Sequence, residues 1–556
     1  MDADQVAHYM ELEEKLSKIR KQLSSKLDNQ KHIAIILTSV EENIEGYASN
    51  DITKNIVQYI IAFMTLLDQS MNQKAHAIND LQLATSATYL LDIIFHYTPK
   101  TLLRSKFTEV LTKVAPCITD PKSESLLIRS AIGVLEALLL AQDAQAWNNT
   151  NNLSVTPKRG LQGLLELCID ARPKIRKRAQ ESVTQILLNP PAAPTAEHVA
   201  AHFIADFTLK QLTQVINEFN SLSNKKLKVE SVKEEINGKI TRVTKLVNTI
   251  VSTGQWPSSM IEPLCDYLLE VTKSSDQYLV SGAFQCFENL FNSMAQLSTT
   301  TGLAENKYVK VLDTIFTLKP SNSDTHLAGS WIAVVVKGVS TYAIHQPLKC
   351  LQKLPEVFKI ISFYLQSETQ EVSYSASQCL IAILTQAIKD EILLTKDVDL
   401  KIVESVNESI KQLSDIFVDF LTIRYTHAAK EVLTIIATAF QKFRYRANPY
   451  LIQPLQIVDK WRINEENYLD YQKEVELVIG SAISAMGPDV VLQYLPLNLI
   501  NPSNDQPGRA WLLPILRDYI RNAKLSTFVN DLIPVVAHFE AVSYTHLRAH
   551  ETLANL

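Results

Sequence analysis

Residues 158–178 form a cluster of basic side chains that could bind an anionic polymer. Seven basic residues stand there against two acidic ones, although the 556-residue chain carries a net charge of −5. A local reversal of charge is typical of a surface that contacts nucleic-acid phosphates. The alternative is a solvated helix face with no ligand, because charge runs are common on helices. The candidate RNA-binding residues are Lys158, Arg159, Arg172, Lys174, Lys177 and Arg178.

A second basic segment, KFRYRANPY, alternates cations with aromatic rings. It contains Lys442, Arg444 and Arg446, and rings placed between guanidinium groups can stack on unpaired bases. Phe443, however, continues the helical apolar stripe of Ile436 and would then belong to a core. The segment is therefore a second RNA-binding candidate with a structural alternative.

Signatures of enzymes are missing from the sequence. There is no GxxxxGK[ST] or GxGxxG phosphate loop and no GxSxG nucleophile elbow. His198, His202 and Asp206 fall at i, i+4 and i+8, a spacing that could place zinc ligands on one helix face. No Glu follows His198, and histidines beside a proline-rich turn are more often capping residues. We expect no catalytic residue, no metal and no cofactor.

The composition indicates a soluble helical chain. Glycine is scarce, with 13 residues, whereas hairpin-rich sheets and phosphate loops need more. The six cysteines are scattered without a CxxC motif, as expected for reduced thiols in the cytosol or nucleus. The acidic, amphipathic start is unlike a signal peptide. No apolar run reaches the roughly eighteen residues that span a bilayer, so we expect no membrane insertion.

Helices must position these residues, because apolar side chains recur every three or four positions along most of the chain. Four of the segments share an apolar-xxx-Ala-xxx-apolar pattern whose alanines are 48, 104 and 93 residues apart, close to one, two and two steps of a HEAT or armadillo repeat. A small residue at that position lets stacked helices approach closely. The pattern predicts an all-α, HEAT/armadillo-like superhelical solenoid of antiparallel helix pairs. The repeat alanines are Ala131, Ala179, Ala283 and Ala376.

The basic cluster also contains a repeat-edge pattern. Asp170 lies in the predicted turn before Arg176, in the arrangement by which a HEAT-repeat arginine meets an aspartate of the preceding turn. We therefore expect Asp170 and Arg176 to be structural. The other basic residues of the cluster would then be free to contact a partner.

The charged segment 224–235 interrupts the helical period and divides the chain. We expect an N-terminal repeat array at 1–223, a charged loop, linker or helix extension at 224–235, and a second, truncated array at 236–541. Residues 542–556 resemble translated sequencing-library adapter, and we interpret them as a non-native tail.

Several strings resemble the ribosomal RNA-processing protein twelve family of nucleolar HEAT-repeat proteins, from residue 1 to about residue 540. Strings such as AQAWNNT and STGQWPSS are more specific than generic helix sequence. The main ones are LDNQKHIAIILTSVEENI (27–44), AQDAQAWNNT (141–150), VTPKRGLQGLLEL (155–167), LLNPPAAPTAEHVA (187–200), VSTGQWPSSMIEPLCD (251–266), TGLAENKY (301–308), SWIAVVVKGVSTYA (330–343) and QPGRAWLLP (506–514).

The resemblance implies a non-catalytic scaffold of ribosome biogenesis. Its expected partners are pre-ribosomal particles, rRNA and ribosome assembly factors, with Ran GTPase and nuclear pore proteins as further expectations. It also implies support of small-subunit rRNA processing, nuclear export of ribosomal subunits, and a nuclear and nucleolar location with shuttling to the cytoplasm. The alternative is an importin- or exportin-like transport receptor that does not bind RNA directly.

Overall fold

The structure is a computed structural model that divides into two compact units, Met1–Ser293 and Met294–Leu556. Within the described residues it is helical apart from one small antiparallel ladder, in which β1 (Met71–Asn72) pairs with β2 (Ala77–Ile78). The described residues are 3–45, 52–72, 77–149, 155–193, 195–221, 230–296, 303–394, 399–463, 469–503 and 507–542.

The first unit contains hairpins of successive helices joined by short turns. Its helices are α1 (Ala3–Arg20), α2 (Asp28–Glu45), α3 (Ile52–Gln69), α4 (Leu81–Phe95), α5 (Lys100–Ser105), α6 (Phe107–Thr119), α7 (Ser125–Leu140), α8 (Ala144–Asn148), α9 (Pro157–Leu167), α10 (Pro173–Leu188), α11 (Ala201–Ser221), α12 (Glu230–Ser252), α13 (Ile261–Val271) and α14 (Gln277–Met294).

The second unit repeats this arrangement. Its helices are α15 (Glu305–Thr317), α16 (Thr325–His345), α17 (Pro347–Leu365), α18 (Gln370–Gln386), α19 (Asp390–Leu394), α20 (Leu400–Phe420), α21 (Ala429–Phe443), α22 (Ile452–Ile463), α23 (Gln472–Met486), α24 (Pro488–Tyr494), α25 (Leu512–Tyr519) and α26 (Leu525–Thr527), which continues through a π-helical turn (Phe528–Leu532) and helical residues 533–542.

Each unit stacks its hairpins in two layers. In the first unit, α4, α7, α10 and α12 contact one another in sequence and form the second layer, while α3, α6, α9 and α11 pack on them as the first layer. In the second unit, α16, α18, α21 and α23 form the second layer. Each helix therefore buries its apolar stripe between its hairpin partner and the neighbouring repeats, as helical-repeat proteins do.

The four repeat alanines are fully buried. Ala131 on α7, Ala179 on α10, Ala283 on α14 and Ala376 on α18 are all 0% exposed. A larger side chain would have no space there, since protein interiors are packed without voids. The all-α helical-repeat class predicted from the sequence is confirmed.

The contacts divide the chain between Ser293 and Met294, whereas the sequence suggested a division at 224–235. Residues 222–229 lie outside the described residues, and residues 230–235 are the first residues of α12. The predicted arrays 1–223 and 236–541 stay a prediction. The proposed tail, 542–556, lies outside the described residues except for residue 542, which is helical.

Among the described residues, α16 is the one helix that is long and apolar enough to cross a bilayer. However, 56% of its most apolar stretch is buried inside the protein. Trp331, near its middle, is fully buried and donates from Nε1 to the main-chain oxygen of Ile315 at 2.7 Å. α16 is thus packed as a core helix of the second unit.

Candidate nucleic-acid interface

The turn between α9 and α10 holds Arg172, one of the candidate residues of the basic cluster. Proline at the first position of each helix fixes the start of both α9 and α10. The carboxylate of Asp170 accepts the main-chain N–H of Arg172 at 2.7 Å and the Nε–H of the same residue at 3.0 Å. These hydrogen bonds lower the pKa of Asp170. Arg172 is therefore held across the turn by Asp170, with about half of its side chain exposed.

Arg176 makes a different contact from the one that the sequence suggested. Its Nη1 donates to the main-chain oxygens of Asp170 at 2.6 Å and Ala171 at 3.2 Å. Arg176 meets Asp170 through the main-chain oxygen, because Arg172 occupies the carboxylate. Arg176 still fixes the turn, and burial together with the nearby Arg242 of α12 lowers its pKa.

Arg178 is not part of the free surface. Its Nη1 donates to Oε2 of Glu136 on α7 at 2.7 Å, and Ser182 donates to the same oxygen at 2.6 Å. The Glu136 side chain is only 7% exposed, and that of Arg178 is 22% exposed. The expectation that Arg178 is available to an outside partner is therefore wrong: it neutralises a buried carboxylate and joins two second-layer helices.

The remaining candidates fall into two groups. Lys158 and Arg159 lie at the start of α9, and Lys174 and Lys177 lie in the first turns of α10. Because the two helices form an antiparallel hairpin and α9 is about 15 Å long, these pairs lie at opposite ends. Lys174 is exposed and the Lys177 side chain is 81% exposed, with only a 3.9 Å contact to Glu181. The six predicted residues do not form one patch, and their RNA-binding role stays a prediction.

The second candidate segment is largely neutralised by its surroundings. Asp390 lies 2.7 Å from Nζ of Lys442 and 3.7 Å from a guanidinium nitrogen of Arg444. The hydrogen bond from Lys442 lowers the pKa of Asp390. Arg446 donates to Oδ1 of Asn407 at 3.0 Å, and Phe443 is fully buried. These contacts attach the end of α21 to α19 and α20, which favours the structural alternative.

The histidine spacing gives no metal centre in the described part of the chain. His198 is buried, its Nδ1 accepts the main-chain N–H of Ala200 at 3.0 Å, and its ring meets Trp147 edge to face. Burial lowers the pKa of His198 to about 4, so it is neutral at physiological pH. No group of three metal-ligating side chains occurs among the described residues.

All six cysteines are buried. Burial raises the pKa of Cys117 to about 11 and raises the pKa of Cys168 as well. Thiols in such surroundings stay protonated and are poor nucleophiles.

Arg242 and Lys245 of α12 belong to the same region, and sequence reasoning did not identify them. The charge of Arg242 acts on Arg176 across the α10–α12 contact. Lys245, one helical turn further on, is exposed. Arg242 and Lys245 lie far from residues 158–178 in the sequence, and only the packing of α12 against α10 brings them near that cluster.

Stacked helical hairpins in two layers define a helical-repeat protein of the HEAT type. Residues 18–237 match the family described as RRP12-like, N-terminal HEAT repeats. Residues 366–554 match the family described as Ribosomal RNA-processing protein 12, HEAT repeats, a range that runs into the predicted tail. The tail's non-native origin stays a prediction.

Relatives support the same family. Ribosomal RNA-processing protein 12 of Saccharomyces cerevisiae is 62% identical over 542 residues, covering 97% of this chain and 44% of that protein. Putative ribosomal RNA-processing protein 12 of Schizosaccharomyces pombe is 26% identical, covering 94% of this chain and 41% of that protein. The chain therefore belongs to the ribosomal RNA-processing protein 12 family, which is not an enzyme family. It spans less than half the length of these relatives.

Among solved structures, the crystal structure of Kap121p is similar at 11% identity and a TM-score of 0.45. The alignment covers 93% of this chain and 54% of that chain. At that score the similarity carries no functional conclusion.

Proposed function

We propose that this chain is a non-catalytic scaffold of ribosome biogenesis that binds pre-ribosomal RNA and proteins. The observation that carries the proposal is the 62% identity, over 97% of the chain, to a protein named for ribosomal RNA processing. The expected role is support of small-subunit rRNA processing and of the nuclear export of ribosomal subunits.

The surface chemistry of the first unit is consistent with RNA binding. Exposed lysines and arginines occur on α9, α10 and α12, although the chain is acidic overall. Affinity for RNA would then depend on these side chains and would fall with salt, because phosphate contacts release condensed counterions.

The location and the wider set of partners are part of the same proposal. We expect a nuclear and nucleolar protein that shuttles to the cytoplasm and contacts ribosome assembly factors, Ran GTPase and nuclear pore proteins. These expectations rest on family membership alone. Imaging of the tagged chain and of its nuclear export tests the location independently of RNA binding.

The test of the function is to crosslink RNA to the tagged chain in cells and to sequence what is bound. Enrichment of precursor rRNA over mature rRNA and tRNA is the expected result. If the chain instead captured Ran or pore repeats and no precursor rRNA, the transport-receptor alternative would replace the proposal.

A further inference from the structure

Three neighbouring second-layer helices of the first unit, α7, α10 and α12, carry basic side chains that are exposed or half-buried. Arg129 on α7 stands two residues before Ala131, and Lys177 on α10 stands two residues before Ala179. Two residues correspond to about 200° around a helix, so both side chains point away from the buried alanines. Arg129 and Lys177 are accordingly exposed. Because α7 and α10 are packed side by side, the two cations lie on the same face of the layer.

Helix α12 extends this face on the far side of α10. α12 packs against α10, and Arg242 on α12 interacts electrostatically with Arg176 in the first turn of α10. Arg242 is half-buried and Lys245, three residues later, is exposed. Residues three apart are neighbours on a helix surface, so Lys245 continues the line of charge. We call Arg129, Lys177, Arg242 and Lys245 the basic strip.

Acidic residues neutralise the strip only in part. Asp92 on α4 interacts electrostatically with Arg129. The acidic side chain of α7, Glu136, is buried against Arg178. On α10, Glu181 lies 3.9 Å from Lys177 and is itself half exposed, too loose a pair to remove the charge. In the described part of the chain, the strip cations other than Lys177 have no ion pair within 4 Å.

The strip also lacks the apolar anchors of a protein-binding surface. Of the large apolar side chains that are exposed in the described residues, only Leu188 lies on α7, α10 or α12, at the end of α10. Protein interfaces are rich in aromatic and other apolar side chains at their centre. Base stacking on single strands needs exposed rings, and these three helices present none among their described residues. A surface of cations without apolar anchors or exposed rings favours the phosphate groups of a nucleic-acid backbone.

We propose that the basic strip binds the sugar-phosphate backbone of RNA across α7, α10 and α12, without reading its bases. This inference rests on the proposed function and specifies the surface that performs it. The proposed site is therefore the basic strip, which runs across three successive repeats, and not the 158–178 cluster within a single hairpin. RNA recognised in this way is expected to be helical, because duplex RNA is bound mostly through its backbone and shape.

The test is a titration of the whole chain on two fluorescent RNA duplexes of equal length and unrelated sequence, at several salt concentrations. The variant R129Q/K177Q/R242Q/K245Q removes four positive charges. The control K18Q/K106Q/K210Q/K273Q removes the same number from exposed lysines elsewhere in the first unit. Circular dichroism and thermal melting check that both variants fold.

We expect the strip variant to lose at least about tenfold in affinity and to lower the slope of log K against log salt by about three, whereas the control stays near wild type. The two duplexes should bind alike. The milder variant K177Q/K245Q should lower the slope by about half as much as the strip variant. Both of its side chains are exposed, so it controls for a folding defect in the larger variant.

The outcomes separate the strip from the function. If wild type binds RNA and the strip variant binds like the control, the strip is wrong and the proposed function stands. If wild type binds neither duplex nor precursor rRNA, the function fails. If polyglutamate competes as well as RNA of equal charge, the strip is a surface for acidic protein and the inference is overturned.

Discussion

Replacing Arg178 by Ala should destabilise the contact between α7 and α10 rather than weaken RNA binding. The change leaves Glu136, whose side chain is 7% exposed, without its cation. Breaking a buried ion pair costs about 3–5 kcal/mol, and we expect about 3 because Ser182 keeps one hydrogen bond to the carboxylate. That free energy corresponds to a rise of about 150-fold in local opening, and so in the exchange rate of the protected amides of both helices.

Hydrogen exchange followed by mass spectrometry measures this effect helix by helix. The neighbouring variant Lys177→Ala is the matched control, because its side chain is 81% exposed and it should leave exchange unchanged. In Glu136→Gln/Arg178→Met no buried charge remains and Ser182 keeps an acceptor, so most of the protection should return. Unchanged exchange in Arg178→Ala, together with a selective loss of RNA affinity, would refute the structural role.

Three further predictions follow from buried or paired groups. Gly133→Ala places a Cβ 1.9 Å from a carboxylate oxygen of Asp92 and should lower the melting temperature through an overpacking cost of about 1–3 kcal/mol. Gly163→Ala has nothing within 4 Å of its Cβ and should raise the melting temperature slightly. Equal shifts in the two variants would contradict the packing around Gly133. Burial raises the pKa of Asp92 to about 7 in the folded protein, above its value in the unfolded chain. The stability of the folded protein is therefore highest, as far as this carboxyl is concerned, below about pH 4, and it falls as the pH rises through 7. The melting temperature of Asp92→Asn, relative to that of the wild type, should therefore rise between pH 4 and 8. A difference in melting temperature that stays constant over this range would argue against the raised pKa. Lys442→Gln/Arg444→Gln should leave RNA affinity within about twofold, since Asp390 already pairs with both cations, and a tenfold loss in the same titration would restore that segment as an RNA site.

The spacing of apolar residues and alanines in the sequence predicted the repeat. Which basic residues are exposed at the site depends on contacts between helices. The buried positions of Ala131 and Ala179 follow from a spacing that any stacked hairpin requires. The pairing of Arg178 with Glu136 joins residues 42 positions apart, and the sequence around Glu136 does not indicate which cation lies beside it. Charge counts treated all residues of the cluster alike, although the helix period turns Arg178 inward and Lys177 outward.

The same limit applies to α12. Arg242 and Lys245 lie beyond the charged segment 224–235, which the sequence suggested as a boundary. Arg242 lies near the basic residues of α10 only because of the register in which α12 packs on α10. Such a register depends on side-chain packing between repeats and cannot be read from the composition of one helix.

The central claim is that the second-layer face of the first unit holds RNA within pre-ribosomal particles. Mapping of RNA–protein crosslinks by mass spectrometry on particles that contain the chain tests it most directly. We predict crosslinked peptides from the strip, around Lys177 and Lys245, and few from the segment around Arg444. Crosslinks confined to that segment, or particles without a crosslink in the strip, would contradict the account.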